Sequence, residues 1–394
     1  MDVIVGGGVV GLSAAWRLSR AGRAVTVVDP APAMGASHAA AGMLAPVSEV
    51  AYTERPLLRL GAASLRRWPS FAAELAADAG LAPAGDPAEA ARAGLDLRAD
   101  GTLDVAFGAD DLAALDELAA YMEKLALPVE RLTGRECRRL EPMLAPSVRG
   151  GLLAPGDAWV DPRRVTAALL AALERRGVPL VRARAGELLR DGGTVVGVRL
   201  EPPGGPPEIR AERVVLAAGA WSAGLADVPV RPVKGQIMRL RSAEPLLGRC
   251  VRGTVHGAPV YLVPRGDGEL VVGATQEELG FDTRVTAGGL YELLRDAREL
   301  VPGVTELEVA DVVAGLRPGT PDNVPIIGPS ATPGLVLATG HHRGGVLLAP
   351  LTAAILLGEE TELAGLCSPA RFDDTGAPRP VTPGRAATAH MEEP

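Results

Sequence analysis

Residues 2–30 read DVIVGGGVVGLSAAWRLSRAGRAVTVVDP, and no other stretch constrains the fold of this chain as tightly. Val3, Ile4 and Val5 form a short apolar run of strand character, and Gly6, Gly8 and Gly11 follow as GxGxxG. Leu12, Ala15, Trp16 and Ala21 then give a helical face, and Gly22 supplies the stop. AVTVVD reads as a second strand that ends on Asp29. The glycines permit a tight turn and let the backbone approach a pyrophosphate. The start of the helix offers the phosphates free N–H groups and positive potential. A carboxylate at the end of the second strand can accept hydrogen bonds from a ribose hydroxyl. GxGxxG alone is a weak signal. With strand, helix and terminal acid in register it predicts a dinucleotide site, and NAD and FAD both use this fingerprint.

The chain has 394 residues, a length that favours roughly two or three domains. Apolar residues make up 47%, enough for a large core, and the net charge of −8 is spread without long runs of one sign. A nucleic-acid partner would want a basic stripe, so none is expected. Cys137, Cys250 and Cys367 lie far apart and form no CxxC pair, which fits a reducing cytoplasm. The chain enters a strand at once, with no basic n-region, so no signal peptide is expected. The apolar run 346–357 contains Pro350 and is too short to span a bilayer, so no membrane association is expected.

Apolar spacing predicts a helix over 56–80 carrying Leu58, Leu65, Trp68, Phe71 and Leu75. Residues 81–108 read as turns with weak strands, and 110–126 as a clear helix. Strand, turn and helix follow over 150–177, the helix starting near Pro162. VPLVRAR, TVVGVRL and RVVLAAG are three strands, and residues 226–275 hold several short ones in an antiparallel style. A helix covers 286–300, strand and loop cover 309–328, and GLVLAT (334–339) is a strand. The pattern predicts an α/β fold, with a doubly wound nucleotide domain interleaved with an antiparallel-sheet substrate domain. The first is expected from 1–84, 155–225 and 312–369, the second from 85–154 and 226–311, and 370–394 as a loose tail.

Two features favour FAD. GASHAAAGMLAP (35–46) is packed with small residues that let the backbone run along a flat ligand, and VVLAAGAWS (214–222) is a strand ending in Ala-Gly. GHHRGG (340–345) raises a different question, since two of the five histidines stand side by side there. Adjacent side chains point apart on a regular backbone, and no third ligand is spaced nearby, so no metal is expected. A strand-to-helix turn against the cofactor fits better. Gly340, Gly344 and Gly345 would let the backbone pass close, and the helix start would aim N–H groups at the flavin.

GGGVVGLSAAW, SHAAAGMLAP, AAGAWS, RPVKGQ, YLVPR, LVVGAT, AGLRPGTPDNVPIIG and ATGHHRGGVLLAP occur in that order. Together they resemble the glycine oxidase family, within the D-amino-acid oxidase and sarcosine oxidase group of flavoproteins. AGLRPGTPD followed by TGHHRGGVLLAP is the most specific part. The resemblance implies FAD and oxidation of a small amino acid, with molecular oxygen as acceptor. It also implies a role in making the thiazole of thiamine, with thiazole synthase as a candidate partner, and a homo-oligomer. AGLRPGTPD contains no Cys, so a covalent thioether is not expected and FAD would be held non-covalently.

Carried over by position, Arg317 matches the Arg that pairs with the substrate carboxylate, a task suited to a planar guanidinium. Tyr261 matches the Tyr whose hydroxyl reaches the same group, and Arg343 a second Arg near the substrate. Gly6, Gly8, Val9, Val10, Gly11, Asp29, Pro30, Ala36, Ser37, Ala41, Gly42 and Met43 match cofactor contacts, as do Gly186 and Gly219. Gly340, His341, His342, Arg343, Gly344, Gly345, Val346 and Leu347 match the segment along the flavin. Ala45 and Gln276 fall at the substrate entrance, where the family pattern differs, and Pro259 replaces a polar ring; these changes leave the preferred side-chain size open. The positive charge of Arg343 is expected to favour a neutral substrate amine. Rival readings are a D-amino-acid or sarcosine-type flavin enzyme passing electrons to a quinone, a nicotinamide dehydrogenase, and a non-enzymatic flavin-binding partner of thiazole assembly.

Overall fold

The computed structural model describes residues 1–82, 85–201 and 207–372. Strand Asp2–Val5, buried along its whole length, sits inside a six-stranded sheet. The order is Ile326–Pro329, Leu335–Thr339, Arg213–Leu216, Asp2–Val5, Val25–Val28, Leu180–Val181. All neighbours are parallel except the edge strand Ile326–Pro329. Parallel strands of this kind must be covered on both faces. One face carries helices Val9–Arg20, Arg55–Asp78, Pro162–Arg175 and Gly345–Leu357, joined through Trp16, Trp68, Leu169 and Leu348. The other face carries a three-stranded antiparallel sheet, Ala185–Asp191, Thr194–Leu200 and Glu208–Arg210, packed through Val195 and Val198 on Val3, Val5 and Leu216.

Helix Gly345–Leu357 contains Pro350, which breaks the regular ladder. The gap is filled from the neighbouring helix. Ser64 Oγ donates to Leu347 O (2.6 Å) and accepts from Leu351 N (3.3 Å), and Trp68 Nε1 adds a bond to Leu347 O (3.0 Å). Among the described residues no helix is long and apolar enough to cross a membrane.

The second sheet has eight strands, in the order Glu308–Gly319, Arg231–Arg241, Glu269–Gly273, Ala258–Pro264, Cys250–Val255, Thr102–Ala106, Gly150–Ala154, Glu130–Thr133. Only Cys250–Val255 with Thr102–Ala106 is parallel. Alternate side chains take opposite faces. Met238, Leu240, Val260 and Leu262 face a core with helix Ala287–Leu300, while Ile237, Val263 and Val271 pack on Ala41 and Trp159. The α/β class with an antiparallel second sheet is therefore as the sequence predicts.

Three local expectations change. Residues 87–95 are a helix, started by Asp86, whose carboxylate caps Ala88 N at 2.9 Å, and by Pro87 in the first turn. Its Ala91 and Leu95 join the core of Trp16 and Trp68, so this segment sides with the nucleotide half and not with the sheet. Strand Glu308–Gly319 pairs with Arg231–Arg241 along its length, with one bulge between Arg239 and Leu240, so a boundary at 311/312 would cut through a single strand. Pro369–Phe372 is a short 3-10 turn; the rest of the expected tail, 373–394, lies outside the described residues.

Candidate active site

The turn after Asp2–Val5 admits only glycine at two places. Gly6 has φ +114°, and a Cβ there would lie 2.2 Å from Ala217 O; at Gly11 it would lie 1.9 Å from Gly6 O. Asp29 secures the turn, its Oδ2 accepting from Gly7 N (2.7 Å) and its Oδ1 from Ala31 N (2.7 Å). Ser37 Oγ accepts from Val9 N at 2.9 Å and so ties the small-residue segment to the start of the helix. A cleft runs over this turn. Gly6, Gly8, Val9, Val10, Asp29, Pro30, Ala36 and Ser37 form one wall, Gly186 and Gly219 another, and His341, His342, Arg343, Gly345 and Val346 close the far end. This backbone-lined trench, beside a helix start and an acid at the end of the second strand, fits a dinucleotide.

A larger cavity opens from its far end, and Ala36, Ala40, His342, Arg343 and Val346 line both. Ala41, Gly42 and Met43 line the second cavity. Gly42 has φ +84° with a Cβ position 2.0 Å from Val160 O. Arg265, 2% exposed, anchors this segment by donating to Ala41 O and to Val160 O (3.0 Å). Some expected contacts fall elsewhere. Gly11 packs behind the turn, and Gly340, at φ +74°, is held against Thr320. Gly344 and Leu347 face a small side hollow shared with Glu54 and Leu57. Ala45 is wholly buried and lines neither cavity, so it is not at an entrance; Ser48, Glu49 and Val50 line the cavity instead, with Gln276 on the opposite strand end.

The floor of the second cavity is one face of the eight-stranded sheet. Val313, Ile237, Gly273, Tyr261, Arg252 and Asp104 are successive cross-strand partners, so their side chains share that face. Gly315 and Gly235 pair two residues further along, and Arg317 pairs with Val233 beyond them. Two glycines make the floor usable. A Cβ on Gly235 would lie 2.4 Å from both terminal nitrogens of Arg317, and one on Gly273 would lie 2.5 Å from the Tyr261 ring. The guanidinium and the phenol therefore lie down over bare backbone.

Arg317 Nη1 donates to Thr275 O (3.1 Å) and Lys234 O (3.4 Å). Glu277 steadies that strand end: it accepts from Thr275 Oγ1 (2.6 Å) and Gln236 Nε2 (2.8 Å) and pairs with the fully buried Lys234 Nζ at 3.2 Å. Burial pushes the Tyr261 phenol up against the opposing charge of Arg317, so it stays a neutral O–H donor. A guanidinium beside a neutral phenol is a receptor for a carboxylate.

Arg343 pairs with Glu54, whose other oxygen accepts from Asn323 Nδ2 at 2.8 Å. Burial opposes the Arg343 charge, but Glu49 and Glu54 outweigh it and hold the guanidinium above its usual range. The positive charge expected to bias the amine is thus shared between two carboxylates, a correction to the sequence reading. His341 is buried, with Nε2 2.9 Å from Thr352 Oγ1, and burial pushes it down to about 3. His342 takes φ +46° at the strand-to-helix turn and is pushed down to about 4, by burial first and then by Arg343 and Arg317. Both imidazoles are uncharged at neutral pH. No cluster of metal-binding side chains occurs among the described residues.

Several cavity residues carried no sequence signal: Glu49, Asp104, Arg252 and Gly235. Gly235 lies within RPVKGQ, but its role depends on sheet register. Glu49 follows a turn fixed by Asp157, which is fully buried and accepts from Val47 N (3.2 Å) and Ser48 N (3.0 Å). Burial, against those hydrogen bonds, pushes the Asp157 carboxyl up to about 6.

A family model described as FAD dependent oxidoreductase matches residues 3–357. The bifunctional protein ThiO/ThiG of Nostoc sp. is 36% identical over 355 residues, covering 90% of this chain and 51% of that protein. The chain thus spans about half the length of that relative. Glycine oxidase of Geobacillus kaustophilus is 33% identical over 361 residues, covering 90% of each chain. The crystal structure of a glycine oxidase from Geobacillus kaustophilus superposes with a TM-score of 0.82 at 32% identity, covering 94% of this chain and 98% of that one.

Proposed function

The chain belongs to the FAD dependent oxidoreductase family, and from that premise we propose that it oxidises the amine of a small amino acid, glycine foremost. The resemblance read from the motifs agrees with the family match. Glycine, oxygen and water would give glyoxylate, ammonia and hydrogen peroxide. The observation that carries this reading is the Arg317–Tyr261 pair, laid over Gly235 and Gly273 in a cavity continuous with the nucleotide cleft.

FAD, when bound, supplies the hydride acceptor and the site at which oxygen is reduced. The residues of this chain hold and orient. Gly6, Gly8, Val9 and Val10 would carry the pyrophosphate, with Asp29 and Pro30 towards the ribose and Gly186 towards the adenine. Ala36, Ser37, Ala41–Met43, Gly219, His341, His342, Arg343, Gly345 and Val346 would border the flavin. The first turn of helix Gly345–Leu357 would offer free N–H groups and positive potential to the flavin, which favours its reduced, negatively charged form. Arg317 grips the substrate carboxylate through its planar fork and Tyr261 donates its O–H to the same group, which fixes the α-carbon. No Cys stands in AGLRPGTPD, which supports non-covalent FAD.

The relative named bifunctional ThiO/ThiG supports the further step, supply of the imine to thiazole synthesis. The test is peroxide release from purified flavin-loaded protein over a panel of glycine, sarcosine and small D-amino acids. Turnover led by glycine supports the reading. Flavin bleaching without peroxide would move it to a quinone-linked enzyme, and no bleaching with any amine would remove it.

A further inference from the structure

We propose that Glu49 is the group that receives the substrate's ammonium. The inference rests on the amino-acid reading above and fills a place that reading leaves empty. An amino acid enters as a zwitterion, and each charge taken from water into a half-enclosed cavity needs a partner. Arg317 and Tyr261 serve only the carboxylate. The other cations on the cavity wall, Arg343 and Arg252, repel an ammonium, and His342 is neutral.

Three of the acids on the wall are committed. Asp104 pairs with Arg252 at 3.3 Å, and Asp111 accepts from Gly108 N (2.8 Å) and Phe107 N (3.2 Å). Glu277 is taken by Thr275, Gln236 and Lys234. The Glu49 carboxylate has no hydrogen-bond donor among the described residues. It lines the same cavity as Arg343, Tyr261 and Arg317, and its charge acts on both Arg343 and Tyr261. Asp110, Glu117 and Glu292 also line the cavity, but of these four acids it is Glu49 whose charge is among the leading influences on both groups.

Glu49 is presented by a fixed turn. Asp157 holds Val47 N and Ser48 N, and Glu49 N itself donates to Ala45 O at 3.1 Å. The backbone that carries the carboxylate is thus already ordered, and only the side chain has to settle when substrate arrives.

The experiment separates the amine from the carboxylate. On flavin-loaded enzyme, the KM for glycine is compared with the Kd for acetate, read from perturbation of the flavin spectrum. In Glu49→Gln the glycine KM rises tenfold or more, while acetate binds as tightly as in wild type or tighter, because a like charge has left. Glu49→Asp keeps the charge on a well-tolerated side chain and recovers glycine binding to within about threefold. If glycine and acetate shift together, or neither shifts, Glu49 does not hold the ammonium. If wild type oxidises glycine and the ligands still fail to separate, the inference alone falls. If wild type oxidises no amine, the amino-acid reading falls and this one with it.

Discussion

Gly235→Ala is the sharpest probe of the carboxylate clamp, because it should harm function and spare the fold. Gly235 sits in strand Arg231–Arg241 with no positive φ, so alanine suits its backbone. Replacing a strand glycine that has no need of its freedom adds about 0.5–1 kcal/mol of stability. The new Cβ would stand 2.4 Å from the Arg317 terminal nitrogens, and all three of its nearest atoms belong to that guanidinium. Ordinary contact begins at 3.4 Å, so the guanidinium must move by about 1 Å. A hydrogen bond to a charged group is worth about 1.5–3 kcal/mol, or roughly 10- to 150-fold in affinity. A 1 Å misplacement costs on the order of 10²-fold. We expect glycine kcat/KM to fall about 10- to 100-fold, chiefly through KM, with flavin retained and the melting temperature equal or higher. Peroxide-coupled kinetics and a thermal melt on the same preparation decide it. An unchanged KM, or a lost fold, would refute the picture of Arg317 lying over bare backbone.

Arg317→Lys should recover little of what Arg317→Ala loses, since a point charge cannot reproduce the two-pronged contact; glycine KM in the two variants checks this. Gly42→Ala sets a Cβ 2.0 Å from Val160 O at φ +84°, backbone against backbone, and should lower the melting temperature and release flavin; absorbance of the purified variant reports it. Asp157 titrates near 6 in the fold against an ordinary 3.8, so the folded state holds its proton more tightly. Its contribution to stability is therefore greatest below about pH 4 and is lost as pH rises through about 6. Asp157→Asn should remove that slope, worth at most about 3 kcal/mol, when urea midpoints of variant and wild type are compared at pH 4.5 and 7.5; parallel profiles would contradict it.

How much of this was legible in the sequence depended on whether a feature is local. The nucleotide turn was, because Gly6, Gly11 and Asp29 act through neighbours within one strand–helix–strand unit. Arg317 and Tyr261 were reached through motif resemblance. The floor beneath them was not, since Gly235 and Gly273 meet those side chains only through the register of four strands. Arg343 was placed in the cavity, but its partner Glu54 lies 289 residues away in a turn without a motif. Ala45 was misjudged because adjacency to GML said nothing about burial; the chain turns there, and the half-buried positions begin at Glu49. Helix 87–95 escaped because it is short and set among Ala, Gly, Pro and Asp residues that read as turn composition, although Asp86 and Pro87 were valid start signals.

We propose that Arg317 and Tyr261 seat an amino acid for oxidation. The direct test is anaerobic mixing of flavin-loaded protein with glycine, following the flavin spectrum. Wild type should bleach fully, and air should then return the oxidised spectrum with one peroxide per flavin. Arg317→Ala should keep its flavin and bleach at least about 100-fold more slowly at the same glycine concentration. Equal bleaching rates in the two proteins would contradict the account.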